Sequence, residues 1–261
     1  LAKSIENVAY GYGYNTISCD SDLSLELEME KVDLLVRRGV DGLIVFPVSE
    51  NATYFNDLDI PVVMVNSALT SNRFDSIMSD DFDAGKQAGT WFYDAGHTQV
   101  AVISEMKNRP GRLRAQGLLS VFQEKGQPLA GDMVLDLGFQ MEAGYEGLRQ
   151  IMNMANRPSA LFTTNYYTTV GVLKYALEHH IRFPEDISFI GFDNIGAIDV
   201  LTPAVSIIQQ PMDQIGKEAV KLLVRRMEEK DSSRTDGVME IMLKTQLLVR
   251  DSSSPYRTHT G

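Results

Sequence analysis

Residues 184–194 read PEDISFIGFDN, and this stretch decides the fold class of the chain. Pro184 stops a predicted helix, a short apolar strand follows, and the strand ends on a carboxylate and an amide, Asp193 and Asn194. In an open α/β sheet, ligands bind just beyond the carboxyl ends of the strands. The stretch therefore predicts that Asp193 and Asn194 lie beside a small-molecule site.

Helices and strands alternate on both sides of this stretch. Amphipathic patterns predict helices over residues 1–11, 23–38, 84–95, 113–125, 143–155, 170–179 and 215–229. Apolar runs predict strands over residues 14–19, 42–47, 61–66, 99–104, 133–137, 160–164, 188–192, 205–209 and 240–249. Continuous apolar strands between amphipathic helices are typical of parallel sheets buried on both faces. These units are too many for one small sheet, so we expect an α/β fold with two doubly wound lobes and a ligand cleft between them.

The composition argues against several classes of function. The chain of 261 residues carries 35 acidic and 24 basic residues, a net charge of -11, and lacks the basic surface on which nonspecific nucleic-acid binding depends. Its single cysteine, Cys19, cannot form an internal disulfide, which fits a reducing compartment. No apolar run is long enough to span a membrane. The four histidines and one cysteine show neither metal-ligand nor catalytic spacing, and no nucleotide-binding glycine motif is complete. We therefore expect neither an enzyme, nor a cofactor, nor a metal site.

An ordered set of short motifs carries a family resemblance. The motifs are GVDGLIV at 39–45, IPVV at 60–63, GH at 96–97, RLRAQG at 112–117, PSALF at 158–162, the opening stretch, LTP at 201–203, IQQP at 208–211 and LVRDS at 248–252. Each motif is weak alone, but the ordered set covers nearly the whole chain. It resembles the effector-binding core of the lactose/galactose-repressor type (LacI/GalR) of bacterial transcription regulators.

The resemblance implies a type I periplasmic-binding-protein-like fold. It implies a first lobe of residues 1–105 plus 207–232, and a second lobe of residues 106–206 plus 238–252. It places a first strand and a helix-turn-helix segment before residue 1, and operator DNA would be bound only through that segment. It also implies a carbohydrate-like or nucleobase-like effector, a homodimer and a cytoplasmic location. The alternative is a periplasmic sugar-binding protein of a transport system, which shares the fold; the sequence preceding Leu1 distinguishes the two.

Two charged residues are the main site candidates that the resemblance suggests. Arg114 matches an arginine that faces ligand hydroxyls from the start of a helix, and a guanidinium offers five donors in a rigid fork. Its alternative is a surface arginine near Arg112. Asp193 matches an acid that accepts hydrogen bonds from sugar hydroxyls. Its alternative is a cap on the following turn.

Four further residues are candidates for contact with the effector. Asn165 ends a predicted strand at the same sheet edge. Phe139 matches an aromatic position against the effector ring, or else caps the core. Asp80 matches an acid of the first lobe, or else belongs to a solvated acidic turn. Tyr166 stands where the family usually has an acid, so it either lines the pocket or packs between helices.

Overall fold

The computed structural model describes residues 1–66, 69, 73–193, 196, 202–229 and 237–256. These residues form two compact units, each assembled from two separate segments of the chain. Unit 1 comprises Leu1–Ser79 and Pro211–Leu243, and unit 2 comprises Asp80–Gln210 and Lys244–Gly261.

Unit 1 contains a four-stranded parallel sheet in the order β1-β2-β3-β9. Its elements are α1 (Ala2–Gly11), α2 (Leu25–Arg37), β1 (Leu43–Val45), a 3-10 turn (Tyr54–Asp57), β2 (Val62–Val65), β3 (Asp75–Ser79), α7 (Met212–Glu228) and β9 (Glu240–Leu243). Val63 and Ile77 pack against α7 on one face of this sheet, and Met64 packs with Phe55 on the other. Both faces are therefore buried, as the continuous apolar strands predicted.

Unit 2 contains a six-stranded sheet in the order β10-β8-β7-β6-β4-β5, parallel except for β10. Its elements are α3 (Asp81–Asp94), β4 (Val100–Ser104), α4 (Arg109–Glu124), a 3-10 turn (Gly131–Met133), β5 (Val134–Asp136), α5 (Met141–Met152), β6 (Ala160–Thr163), α6 (Tyr166–Glu178), β7 (Ser188–Phe192), β8 (Ser206–Gln209) and β10 (Gln246–Leu248). Helices α3 and α4 share a buried core with one face of the sheet, whereas α5 and α6 share a core with the other face.

Each pair of helices approaches so closely that glycine is required at the crossing. A Cβ atom on Gly85 of α3 would lie 1.9 Å from the carbonyl oxygen of Arg114 on α4, and one on Gly117 would lie 2.0 Å from that of Phe82. The second pair repeats this geometry. A Cβ atom on Gly144 of α5 would lie 2.0 Å from the Thr168 carbonyl oxygen on α6, and one on Gly171 would lie 1.9 Å from that of Met141. Because real Cβ atoms do not approach so closely, backbone contact fixes the position of α4 on α3 and of α6 on α5.

Three predictions about the strands need correction. Residues 14–19 are not a strand, since they pair with none of the described strands. The late strand predicted over 240–249 is two strands, β9 in one sheet and β10 in the other. Strand β3 was not predicted, because its sequence DSIMS has three polar residues that are nevertheless buried.

The boundaries between the two units also differ from the predicted lobes. Residues 80–105 and 207–210 lie in unit 2, because β4 pairs with β5 and β6, and β8 pairs with β7 and β10. Residues 238–243 lie in unit 1, because β9 pairs with β3. An apolar run identifies a strand but does not identify the strand that pairs with it. The sheet topology is therefore needed to assign each strand to a unit.

Candidate functional site

Several polar side chains of unit 2 follow the carboxyl ends of its parallel strands. Thr164 and Asn165 follow β6, Asp193 follows β7, and Gln210 follows β8. Helix α4 brings Arg114 to the same group. The carboxyl ends of neighbouring parallel strands meet at one edge of a sheet, which is where this fold class binds ligands.

Arg114 is at the centre of this group and is only 6% exposed. Its Nε and one terminal nitrogen both lie 2.7 Å from Oδ1 of Asp81. The other terminal nitrogen donates to the carbonyl oxygen of Thr164 at 2.7 Å, and Oε1 of Gln210 is 3.5 Å from the guanidinium. The guanidinium carbon lies 3.7 Å from the centroid of the Phe192 ring, within range of a cation–π contact. Four of the five N–H groups are thus directed at protein acceptors. Arg114 is therefore a buried residue that contacts several polar groups, and not a surface arginine.

The acid that pairs with Arg114 is Asp81, the residue after the candidate Asp80. Asp80 is the N-cap of α3, and its Oδ1 accepts a hydrogen bond from the Asp83 N–H at 3.0 Å. Asp81, one residue later, is buried to 7% exposure on the first turn of α3. The close crossing at Gly85 and Gly117 brings this first turn to Arg114, and a carboxylate there also interacts favourably with the helix dipole.

Asp193 is held against Gln210 at the next strand end. Its two carboxylate oxygens accept hydrogen bonds from the Gln210 backbone N–H at 3.3 Å and from the Gln210 side-chain amide at 2.6 Å. The backbone of Asp193 is left-handed, with φ of 60°, a conformation in which aspartate is enriched. Burial raises the pKa of Asp193, whereas the charge of Arg114 and the two hydrogen bonds from Gln210 lower it. Gln210 thus links Asp193 to Arg114. The neighbouring candidate, Asn194, lies outside the described residues.

Asn165 has a structural task that leaves part of its side chain unused. It is the N-cap of α6, and its Oδ1 accepts a hydrogen bond from the Thr168 N–H at 2.9 Å. Its Nδ2 donates to none of the residues that the structure describes. The side chain is half-buried, so an amide donor is presented at the edge of the sheet.

The predicted aromatic residues form a contiguous group at the start of α6. The ring of Tyr167 lies 6.4 Å from that of Phe139 and 5.7 Å from that of Tyr166, both in edge-to-face geometry. Tyr166 also packs against the core shared by α5 and α6. The contact with the core supports the alternative that Tyr166 packs between helices, and Tyr167, which is 53% exposed, is the more open ring.

Sequence reasoning did not place Asp81, Gln210 or Tyr167 in the site. Each adjoins a residue of a quoted motif or a named candidate: Asp81 follows Asp80, Gln210 belongs to IQQP, and Tyr167 follows Tyr166. The sequence signal for Asp81 and Tyr167 was therefore one residue away, and Gln210 lay inside a quoted motif. On a helix, however, neighbouring residues point about 100° apart, and only the structure shows which one faces Arg114 or Phe139.

Unit 1 offers a polar residue at the end of its strand β2. Asn66 is 8% exposed and has a left-handed backbone, with φ of 54°. Its Oδ1 has no hydrogen-bond partner among the described residues. A buried amide oxygen without a partner is costly, so Asn66 is a further candidate for ligand contact.

Metal clusters and membrane-spanning helices are both absent from the described ranges. Within them, no group of three or more histidine, cysteine, aspartate or glutamate residues is arranged to hold a metal ion. Within the same ranges, none of the helices is both long enough and apolar enough to cross a bilayer.

Comparison with known proteins gives the family. A family model of the periplasmic binding protein-like domain matches residues 90–253. The HTH-type transcriptional repressor PurR of Histophilus somni is 30% identical over 226 residues, which cover 85% of this chain and 67% of that protein. A LacI family transcriptional regulator from Enterococcus faecium, solved with bound ribose, is 25% identical with a TM-score of 0.84, covering 98% of this chain and 93% of that one. The predicted fold is thereby confirmed: the chain belongs to the periplasmic binding protein-like family and is an effector-binding core of the LacI/GalR type.

Proposed function

We propose that this core binds a sugar or sugar derivative at the carboxyl edge of the six-stranded sheet and thereby controls DNA binding. The DNA would be bound by a helix-turn-helix segment N-terminal to the core, in a cytoplasmic homodimer. The observation that carries the proposal is the buried Arg114, held by Asp81 over Phe192 beside Asp193 and Asn165. Ribose bound to the relative from Enterococcus faecium supports a sugar as the class of ligand.

The polar groups of this edge suit a hydroxylated molecule. A hydroxyl group both donates and accepts hydrogen bonds, and here carboxylate acceptors stand next to an amide donor. Oδ2 of Asp81 accepts from none of the described residues, and Nδ2 of Asn165 is similarly unused. The rings of Phe139 and Tyr167 offer apolar faces that suit the C–H face of a sugar ring.

Control of DNA binding requires more than occupancy of the site. An effector changes an equilibrium only if it binds two states of the protein with different affinity. By linkage, the DNA must then change the affinity for the effector by the same factor. The two effects can be measured separately and must agree.

The proposal is tested by calorimetry with the full-length protein and a panel of free sugars that begins with D-ribose. We expect one sugar to bind, and Asn165→Ser to weaken its binding about tenfold through loss of one hydrogen bond. Serine remains a good N-cap, so the melting temperature should change little. Asp132→Asn, at an exposed position of the same unit, is the matched control and should bind normally. If no sugar binds a protein that still binds DNA, the proposal is wrong.

A further inference from the structure

The charges at the candidate site are already balanced before any ligand arrives. Arg114 and Asp81 are 6% and 7% exposed, and their side chains meet at 2.7 Å. Four of the five guanidinium N–H groups are directed at Asp81, Thr164 and Gln210. The cation therefore has its counter-ion inside the protein and has one N–H group left to offer.

The groups that remain open are mainly acceptors. Asp81 uses one carboxylate oxygen for Arg114, and its Oδ2 accepts from none of the described residues. Each carboxylate oxygen of Asp193 accepts one hydrogen bond from Gln210, and such an oxygen can accept a second. A phosphate or carboxylate oxygen cannot donate to these acceptors, and its charge is repelled by them.

The other charged groups near this edge are of both signs. Glu105 follows β4, and burial together with the charge of Asp136 raises its pKa, whereas Lys107 lowers it. Arg112 donates to the backbone carbonyl oxygens of Met106 and Lys107. Lys107 and Arg112 keep their positive charges beside Glu105 and Asp136, so the repulsion of an anion rests on the groups in direct contact with Arg114, namely Asp81 and, through Gln210, Asp193.

We propose that the effector is an uncharged polyhydroxy compound, and that Asp81 is the residue that excludes its phosphorylated and carboxylated derivatives. This inference rests on the proposed function, because it takes the Arg114–Asp193 edge as the effector site. It adds that Arg114 is an internally compensated donor to a hydroxyl group rather than a receptor for an anion.

Asp81→Asn tests the role of Asp81 directly. The amide retains an oxygen that can accept from Arg114 but removes the charge, so the guanidinium becomes available to an anion. Asp94→Asn is the matched control: it removes the same charge from the exposed, opposite end of α3. The probes are inorganic phosphate, D-ribose and D-ribose 5-phosphate at neutral pH, read out by melting temperature and by calorimetry.

We expect phosphate to leave the melting temperature of the wild type and of Asp94→Asn unchanged, and to raise that of Asp81→Asn. In that variant, the affinity ratio of the phosphorylated to the free sugar should rise about tenfold or more. If phosphate or ribose 5-phosphate binds the wild type, and Arg114→Gln abolishes that binding, the inference is overturned. It is also overturned if Asp81→Asn folds without any gain in phosphate binding.

The wild-type protein alone gives a decision if Asp81→Asn does not fold. Preference for phosphorylated over free sugars contradicts the inference, whereas the reverse preference supports it. Binding of a phosphorylated sugar at Arg114 would leave the proposed sensing function intact and refute only the statement about charge. If neither free nor phosphorylated sugars bind, the proposed function fails. Binding of inorganic phosphate at Arg114 then still decides whether this edge of the sheet excludes anions.

Discussion

The two helix crossings of unit 2 have the same backbone geometry and different chemistry. At each crossing, a glycine on one helix abuts a carbonyl oxygen on the other, and the relation is reciprocal: Gly85 with Gly117 in α3 and α4, and Gly144 with Gly171 in α5 and α6. The α3–α4 crossing places a buried ion pair at the sheet edge. The α5–α6 crossing places an N-cap amide and a group of aromatic rings there.

This difference shows how one packing device can present two kinds of side chain. Glycine contacts set the distance between the helix backbones, whereas the residues near the helix starts determine what is presented. If the glycine contacts and the presented side chains act independently, glycine substitutions should affect both crossings alike. Substitutions of the presented side chains should have effects specific to one crossing.

The largest effect is expected from Arg114→Met, which leaves Asp81 buried without its counter-ion. Removing one partner of a buried ion pair costs about 3–5 kcal/mol of unfolding free energy. At the other crossing, Tyr167→Ala removes a half-exposed ring and should cost less than about 1 kcal/mol. Urea denaturation monitored by circular dichroism measures both. The double variant Asp81→Leu/Arg114→Met should recover part of the unfolding free energy lost in Arg114→Met. Equal losses for Arg114→Met and Tyr167→Ala would contradict the comparison.

Gly85→Ala and Gly171→Ala should destabilise the protein to a similar extent. In each case the new Cβ would lie 1.9 Å from a backbone carbonyl oxygen, so the helices must separate. Overpacking of this kind costs about 1–3 kcal/mol, partly offset by the better helix propensity of alanine, about 1 kcal/mol. Gly131→Ala, with no atom within 4 Å of its Cβ position, is the control and should be nearly neutral. A neutral Gly85→Ala would show that the contact does not fix the crossing.

A pH effect should follow from the buried Asp193 carboxyl. Since burial raises its pKa in the folded protein above 3.8, the folded state binds this proton more tightly than the unfolded state. The stability from Asp193 is then fully present at low pH and falls as the pH rises from 3.8 through the folded pKa, by at most about 1.4 kcal/mol per unit. Urea midpoints of the wild type and of Asp193→Asn, measured across this pH range, give the difference in stability between the two proteins at each pH. An unchanged difference would mean that Arg114 and Gln210 fully offset the burial.

The smallest effects are expected at the two N-caps. Asp80→Ala and Asn165→Ala each remove one hydrogen bond to the first turn, of α3 and α6 respectively, and should cost about 1 kcal/mol. Thermal denaturation should show similar losses for both variants. Only Asn165→Ala should also weaken effector binding, because its amide nitrogen is the group left unused. Weakened binding in both variants would support Asp80 as a ligand contact.

Much of the fold could be predicted from local sequence patterns. Most of the wrong predictions concern which strands pair with each other. The seven helices of the described residues, and most of the strands there, follow from apolar periodicity, because the position of each residue decides whether it is buried. Residues 14–19 have the composition of a strand but no partner among the described strands. The predicted strand at 240–249 contributes to two sheets, because the chain passes from one sheet to the other between Leu243 and Gln246.

The candidate site could be located but not resolved from the sequence. Asn165 and Asp193 follow neighbouring parallel strands at one edge of the sheet, and Arg114 reaches that edge from α4 through Thr164 and Gln210. Most N–H groups of Arg114 are directed at Asp81 and Gln210. The sequence could not predict this, because both contacts depend on tertiary packing. Asp81 is 33 positions from Arg114 in the sequence, and the glycine crossing brings them together.

The interleaved segments of the two units have a consequence for biosynthesis. The first segment of unit 1 is Leu1–Ser79, but the sheet of this unit also contains β9 at Glu240–Leu243, whereas five of the six strands of unit 2 are complete at Gln209. Domains of a nascent chain usually fold from the N-terminus onwards. Here we expect the reverse order on the ribosome, with the unit that starts second being the first to hold a nearly complete sheet. The first 79 residues must then wait for the chain to return.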